Sequence, residues 1–324
     1  MKRVLITGAA GFIGSALAKS LRAMNYYVVG VTRSIELLPP HTQNHADEWI
    51  ECDLADDEFN YEVMNNVDYV FHLAGNAHLT KEAAYSEYFR NNKVATEKLA
   101  TAAAHHLVEK FIFVSTIKVN GDNSESESNS TFTEESDVNP TDYYSQSKYE
   151  AEKVLKDICR VHKMNFVILR PPLVYGAGVK ANFLSLMQVV NSSMPLPMAS
   201  LKNNRSFIYI DNFVDIIEKC ISSENVNDSV YLVQDLSISV PDLLRQLSRA
   251  MGSRTILFSF PLPLLSFVCK VMGKSSSLKK LTSSLIIDDK KIRNDLEWKP
   301  KISFEDSITE TVKWFKQGRD CERG

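Results

Sequence analysis

The chain has 324 residues, 44% hydrophobic and 24% charged, enough for a packed core shared by two lobes. Its formal charge of −3 balances 37 Lys and Arg against 40 Asp and Glu, without the clustered cations of a nucleic-acid-binding protein. Five scattered cysteines (Cys52, Cys159, Cys220, Cys269, Cys321) without a C-x-x-C argue against a disulfide framework or a metal site, and no apolar run is long enough to span a bilayer. The opening MKRVLITG leads directly into a strand with no leader, so the expectation is a cytoplasmic protein with no membrane partner.

Val4-Leu5-Ile6 is a run of buried-strand type, and Phe12 to Met24 has helical spacing. Between them lies Thr7-Gly8-Ala9-Ala10-Gly11-Phe12-Ile13-Gly14. Glycines three apart at a strand-to-helix turn fit a dinucleotide site. Gly8 allows the tight turn, Gly11 lets backbone approach a pyrophosphate, and Gly14 lets helix and strand pack closely. Phe12 and Ile13 open the helix, whose N-terminal N–H groups bind negative charge.

Tyr27 to Thr32 is a second strand. The residue that reads the adenosine ribose is expected at its end, where the sequence holds Thr32-Arg33 and no carboxylate. A guanidinium there would hold a 2′-phosphate through a contact worth about 1.5–3 kcal/mol, which favours NADP over NAD.

Tyr69 to Leu73 and Phe111 to Val114 read as strands, with a helix from Glu82 to His106 between them. Phe113-Val114-Ser115-Thr116 is an apolar strand ending in hydroxyls, and ligands bind beyond strand C-termini in open α/β sheets. The polar, acidic stretch from Asn120 to Asn139 is either a disordered surface insertion or a mobile flap beside the site. Tyr144 and Lys148 stand four apart, on one face of a helix. An ammonium beside a phenol is expected to lower its pKa, making Tyr144 an acid or base and Lys148 its helper.

Phe166 to Leu169 and Tyr231 to Val233 are further strands, and Val240 to Met251 and Phe304 to Phe315 have helical spacing. The apolar segment Phe258 to Gly273 is expected to form a helix buried in a second lobe. Strand–helix alternation with continuous apolar strands predicts an α/β fold: a Rossmann doubly wound parallel sheet. Residues 1–172 form the dinucleotide-binding domain, to which the chain returns around 207–234. Residues 173–324 form a smaller mixed α/β C-terminal substrate lobe.

Together, T-G-x-x-G-F-I-G at Thr7 to Gly14 and Tyr-x-x-x-Lys at Tyr144 and Lys148 resemble the extended short-chain dehydrogenase/reductase family, in the branch containing UDP-galactose 4-epimerase. The resemblance covers nearly the whole chain. It implies that Asp53 and Leu54 contact adenine and that Leu73, Ala74 and Gly75 line the cofactor, Gly75 standing where the family has alanine. It implies that Asn92 and Thr96 support the active-site strands, and that Pro171 belongs to the segment leading from the nicotinamide pocket. The catalytic hydroxyl falls on Thr116, with Ser115 as the neighbouring alternative, and Lys148 also holds the nicotinamide ribose.

On the substrate side, Asn182, Phe183 and Arg205 take the positions that contact a nucleotide diphosphate. A second diphosphate arginine is replaced by Lys279 and Lys280. The resemblance therefore implies a nucleotide-sugar substrate, UDP-linked, and a homodimer through helices Glu82–His106 and Tyr144–His162. Ile117-Lys118 replaces the Asp-Glu that 4,6-dehydratases of this family carry after the catalytic Thr. The string S-x-I-K-V-N-G is similar to surface-polysaccharide enzymes that reduce UDP-4-keto-6-deoxy-N-acetylhexosamines, and to 4-epimerases. The expected activity is a 4-keto reductase in polysaccharide biosynthesis, the alternative a UDP-glucose or UDP-N-acetylglucosamine 4-epimerase with bound NAD.

Overall fold

The computed structural model describes residues 1–56, 61–75, 85–125, 131–271, 278 and 282–321. Seven parallel strands form the main sheet: β1 (Arg3–Thr7), β2 (Tyr27–Thr32), β3 (Glu48–Glu51), β4 (Tyr69–His72), β5 (Lys110–Val114), β6 (Asn165–Arg170) and β9 (Ser229–Leu232). Their order is β3-β2-β1-β4-β5-β6-β9, so the sheet reverses direction between β1 and β4. That reversal opens a crevice at the carboxyl ends of β1 and β4, where a doubly wound sheet binds its ligand. The three residues Val4, Leu5 and Ile6 are fully buried, because helices cover both faces.

One face carries α1 (Phe12–Ala23) and α6 (Ile210–Ser222), which pack on each other. The other carries α3 (Ala95–His105) and α4 (Tyr143–His162). A three-stranded mixed sheet lies apart: β8 (Asn204–Tyr209) pairs in parallel with β7 (Leu173–Tyr175) and antiparallel with β10 (Leu236–Ser239). Around it α5 (Ala181–Asn191), α7 (Val240–Met251) and α10 (Phe304–Cys321) enclose a second core. The chain is thus an α/β protein with a Rossmann sheet and a smaller mixed lobe.

Three segments differ from their sequence reading. Residues 82–84 of the expected Glu82–His106 helix lie outside the described residues, and the remainder is not one regular helix. It runs as α2 (Tyr85–Phe89), a π-helical turn at Arg90–Val94, then α3. The acidic insertion is held on both sides of residues 126–130, which lie outside the described residues. The Ser124 amide donates to Ser284 O at 2.9 Å, and Phe132, fully buried, donates its amide to Ile286 O at 2.8 Å. The buried Phe132 ring and these backbone bonds dock it. Finally, the helix expected to be buried in the second lobe, α8 (Leu262–Val271), has exposed Leu262, Leu264, Phe267 and Val271. Composition measures how apolar a helix is but not whether the fold supplies a partner for it.

Candidate active site

The glycine turn opens the crevice. Gly8 has φ +70°, and a Cβ on it would come within 2.9 Å of Ala74 N. A Cβ on Gly14 would meet Gly8 O at 2.1 Å. The turn therefore closes only with glycines at both places. Gly11 caps α1 with no side-chain hydrogen bond, so the first-turn N–H groups of Phe12 and Ile13 have no side-chain cap on them. Helix α4 contrasts with it. Asp142 and Ser145 form a reciprocal capping box there, with Asp142 Oδ1 accepting from Ser145 N at 2.7 Å.

A cavity of about 280 Å³ follows that turn, lined by Gly8, Gly11, Thr32, Arg33, Asp53, Leu54, Leu73, Ala74 and Gly75 among others. Nine residues that the sequence reading assigned to a dinucleotide are thus brought together around one cleft. Its backbone cradle and apolar wall suit a diphosphate joined to an adenosine. Arg33 is exposed at the rim. The Asp53 carboxylate accepts from Ala55 N at 3.0 Å and pairs with Arg90 at 3.1 Å. A Cβ on Gly75 would come 3.0 Å from Asn92 Oδ1 and 3.5 Å from Lys148 Nζ, a tight fit at the first and an ordinary contact at the second.

A buried polar chain runs from the cleft floor to helix α4. Ala74 N–H donates to Thr7 Oγ1 (3.2 Å), which sits 2.6 Å from His72 Nδ1. His72 Nε2 is 2.9 Å from Thr96 Oγ1, whose own hydrogen goes to Asn92 O at 2.6 Å. Thr96 must therefore accept from His72, so the imidazole carries its hydrogen on Nε2 and takes the Thr7 hydroxyl on Nδ1. Burial, reinforced by Lys148, holds His72 far below its ordinary pKa and so neutral. From the π turn, Asn92 Nδ2 donates to Ser147 Oγ (2.8 Å), and that hydroxyl donates to Tyr144 O at 2.8 Å. The sequence reading covers Thr7 only as the start of the glycine motif and gives His72 and Ser147 no role; the signal for Thr7 and His72 was a polar residue ending an apolar strand, and Ser147 in YSQSK had none.

Ser115 and Thr116 separate cleanly. Ser115 Oγ donates to Glu152 Oε1 at 2.5 Å, deep inside the protein. Glu152 is gripped by Arg170 through two bonds of 2.9 and 2.5 Å, and Arg170 also donates to Asn120 Oδ1 at 2.9 Å. Thr116 lies at the edge of burial and accepts only from Lys118 N, at 3.3 Å. Pro171 is buried beside it, its carbonyl accepting from Ile117 N at 3.0 Å. Lys118 pairs with Asp142 at 2.6 Å and so ties the end of β5 to the start of α4.

Tyr144 is half-buried, its ring 6.4 Å from that of Tyr88. The expected lowering of its pKa by Lys148 is not found in the cofactor-free protein. Burial, then Asp142 and Tyr88, pushes the phenol above its ordinary value. Burial likewise pulls Lys148 down to about 7, opposed by Glu152. The Lys148 ammonium lies 4.1 Å over the Phe113 ring. Desolvation, which disfavours the charged form of each group, sets both directions.

On the substrate side, Asn182 is exposed in the first turn of α5, whereas the Phe183 side chain is core, stacked 5.1 Å from the Tyr175 ring. Its expected role in ligand contact is corrected to packing, since the ring fills the second lobe. Arg205 is half-buried on β8 and donates to Ser283 O at 3.0 Å. Burial lowers its pKa. Lys279 and Lys280 lie outside the described residues.

A Rossmann cleft with its glycine cradle, joined to a Tyr-x-x-x-Lys helix, defines an NAD(P)-dependent oxidoreductase of the short-chain dehydrogenase type. Residues 4–233 match the NAD dependent epimerase/dehydratase family, and the chain belongs to it. It is 34% identical over 326 residues to the UDP-glucose 4-epimerase of Vibrio cholerae, covering 98% of this chain and 97% of that one. To the dTDP-D-glucose 4,6-dehydratase of Mus musculus it is 28% identical over 332 residues, covering 98% and 89%. Among solved structures, the UDP-glucose 4-epimerase of Thermotoga maritima with UDP-glucose superposes with a TM-score of 0.79 at 21% identity, covering 98% of this chain and 99% of that one. The UDP-glucuronic acid 4-epimerase of Bacillus cereus in complex with NAD gives 0.76 at 22%, covering 97% and 99%. Among the described residues no helix is long and apolar enough to cross a membrane.

Proposed function

We propose that the protein reduces the 4-keto group of a UDP-4-keto-6-deoxy-N-acetylhexosamine, using NADPH. The observation that carries this reading is Arg33, which lines the cleft at the end of β2 in the place of a ribose-binding carboxylate. An enzyme that draws on the NADPH pool turns over its cofactor with each reduction, whereas an epimerase keeps a single NAD. Dehydration is disfavoured because Ile117 is buried and Lys118 is paired with Asp142 where a dehydratase needs acids.

When bound, the nicotinamide supplies hydride transfer at C4. Tyr144 gives the proton to the developing alkoxide, Thr116 orients that oxygen through its hydroxyl, and Lys148 holds the nicotinamide ribose and the phenol together. Gly8, Gly11 and Gly14 hold the pyrophosphate, and Asn182 and Arg205 take the sugar nucleotide's diphosphate from the smaller lobe. A second reading, 4-epimerisation with retained NAD, is favoured by the Vibrio cholerae relative, which carries that name. Relatives solved with NAD or UDP-glucose support the ligand classes of both readings.

The test mixes the purified protein with the 4-keto sugar nucleotide and NADPH and follows the reduced nicotinamide absorbance. Stoichiometric oxidation with formation of the 4-hydroxy sugar is expected, and Arg33→Asp should weaken NADPH more than NADH by about tenfold. Interconversion of UDP-sugar 4-epimers without added cofactor or net oxidation would replace the reductase by the epimerase.

A further inference from the structure

We infer that the smaller lobe carries a docking surface for an anionic lipid bilayer, formed by helix α8 and the segment before it. Four large apolar side chains of α8 face outward: Leu262 is 45% exposed, Leu264 50%, Phe267 64% and Val271 74%, while Leu265 anchors the helix at 8%. Ile256 and Phe258, also exposed, continue the patch. Met194 joins it, because the adjoining Leu196 exchanges backbone hydrogen bonds with Ile256 and Phe258, at 2.9 and 3.0 Å. An ordinary surface scatters such side chains singly; here they are contiguous in a short stretch of chain.

Charge chooses the occupant. From Arg254 to Ile287 the sequence has no Asp or Glu and five cations, Arg254, Lys270, Lys274, Lys279 and Lys280, in a chain whose net charge is −3. Arg254 and Lys270 are exposed beside the apolar patch. Apolar side chains that enter the interface, flanked by cations that stay at headgroup level, form the pattern of an interfacial helix. At ten residues, about 15 Å, α8 is too short to span and fits only along the surface. A second copy of the chain suits the patch poorly, since a two-fold contact would bring together two identical patches, each flanked by cations and without Asp or Glu between Arg254 and Ile287.

The test sediments the full chain with vesicles of phosphatidylcholine containing about one third phosphatidylglycerol, and with phosphatidylcholine alone. The wild type should partition about tenfold more strongly onto the anionic vesicles, with high salt reducing the difference. Leu264→Ser combined with Phe267→Ser should lose about tenfold of that binding, because two apolar insertions are removed. Its thermal transition and NADPH oxidation serve as the check on folding. Should that variant not fold, Arg254→Glu with Lys270→Glu removes the electrostatic half and should abolish the preference for anionic vesicles. Three outcomes would overturn the inference: no binding to anionic vesicles, binding that the folded variants retain, or lipid-free self-association that Leu264→Ser/Phe267→Ser abolishes.

Discussion

Adjacent hydroxyls at the end of β5 do different work. Ser115 completes the Glu152–Arg170 pair, a buried charge pair whose removal from one side is costly. Thr116 is 9% exposed, and among the described residues its hydroxyl is engaged only by the Lys118 amide. Thr116→Ala should therefore lower kcat by about a hundredfold with little change in stability. Ser115→Ala should destabilise by about 1.5 kcal/mol in urea unfolding and leave kcat within a few-fold. The reverse pattern would move the catalytic hydroxyl to Ser115. Lys148 adds a pH signature. Its folded pKa of about 7 lies below the unfolded value near 10.4, so the unfolded chain binds more protons between those limits. Stability of the cofactor-free protein should rise with pH from about 7 towards 10, and the burial penalty should be fully present below 7. Lys148→Met should flatten that rise, which pH-dependent unfolding of the two proteins measures directly.

At the scale of elements, the β1–α1 turn and the π turn before α3 position the chemistry. The first is set by steric necessity: a methyl at position 14 would lie 2.1 Å from Gly8 O. Gly14→Ala must push α1 away from β1 and spoil the cradle. Affinity for NADPH should fall by about a hundredfold or more while the far-ultraviolet spectrum is kept, which titration of nicotinamide fluorescence would read. Unchanged affinity would show that the cradle is not the pyrophosphate site. The π turn brings Asn92 within 2.8 Å of Ser147, so a helix irregularity that looks like a defect carries the link to α4. A second element-scale device is Lys110, whose ammonium donates to Cys220 O, Ser223 O and Val226 O, closing the end of α6 from β5.

On the scale of the whole molecule, the C-terminal tail binds the two halves into one. After passing through the smaller lobe the chain returns to the main sheet. Ile292, Leu296 and Trp298 enter the core beneath α6, and Trp298 Nε1 donates to Asp215 Oδ2 at 2.8 Å. Trp298 is 1% exposed, so Trp298→Ala leaves a large cavity and takes one of two partners from Asp215, whose other oxygen stays paired with Lys301. It should destabilise the protein by about 3–5 kcal/mol. Because this core joins both halves, fluorescence and circular dichroism should still report one shared transition, shifted to lower denaturant. Two separated transitions in the wild type would mean that the halves fold independently.

What the sequence determined was local. Continuous apolar runs pointed to six of the seven strands of the main sheet, because burial on both faces leaves no room for alternation; the edge strand β3, EWIE and only partly buried, has no such run and was missed. Tyr27–Thr32 and Val240–Met251 match observed elements residue for residue. The glycine turn and the Tyr144–Lys148 spacing were legible because each depends on neighbours a few residues away. Tertiary structure alone decided what depends on distant partners. It put Phe183 in a core rather than at a ligand and left α8 facing outward. It also joined Ser115, Glu152, Arg170 and Asn120, up to 55 residues apart, into one buried network. The protonation of Lys148 and Tyr144 belongs to the same class. Spacing along a helix sets which groups meet, but desolvation, which depends on everything packed around them, sets their charge.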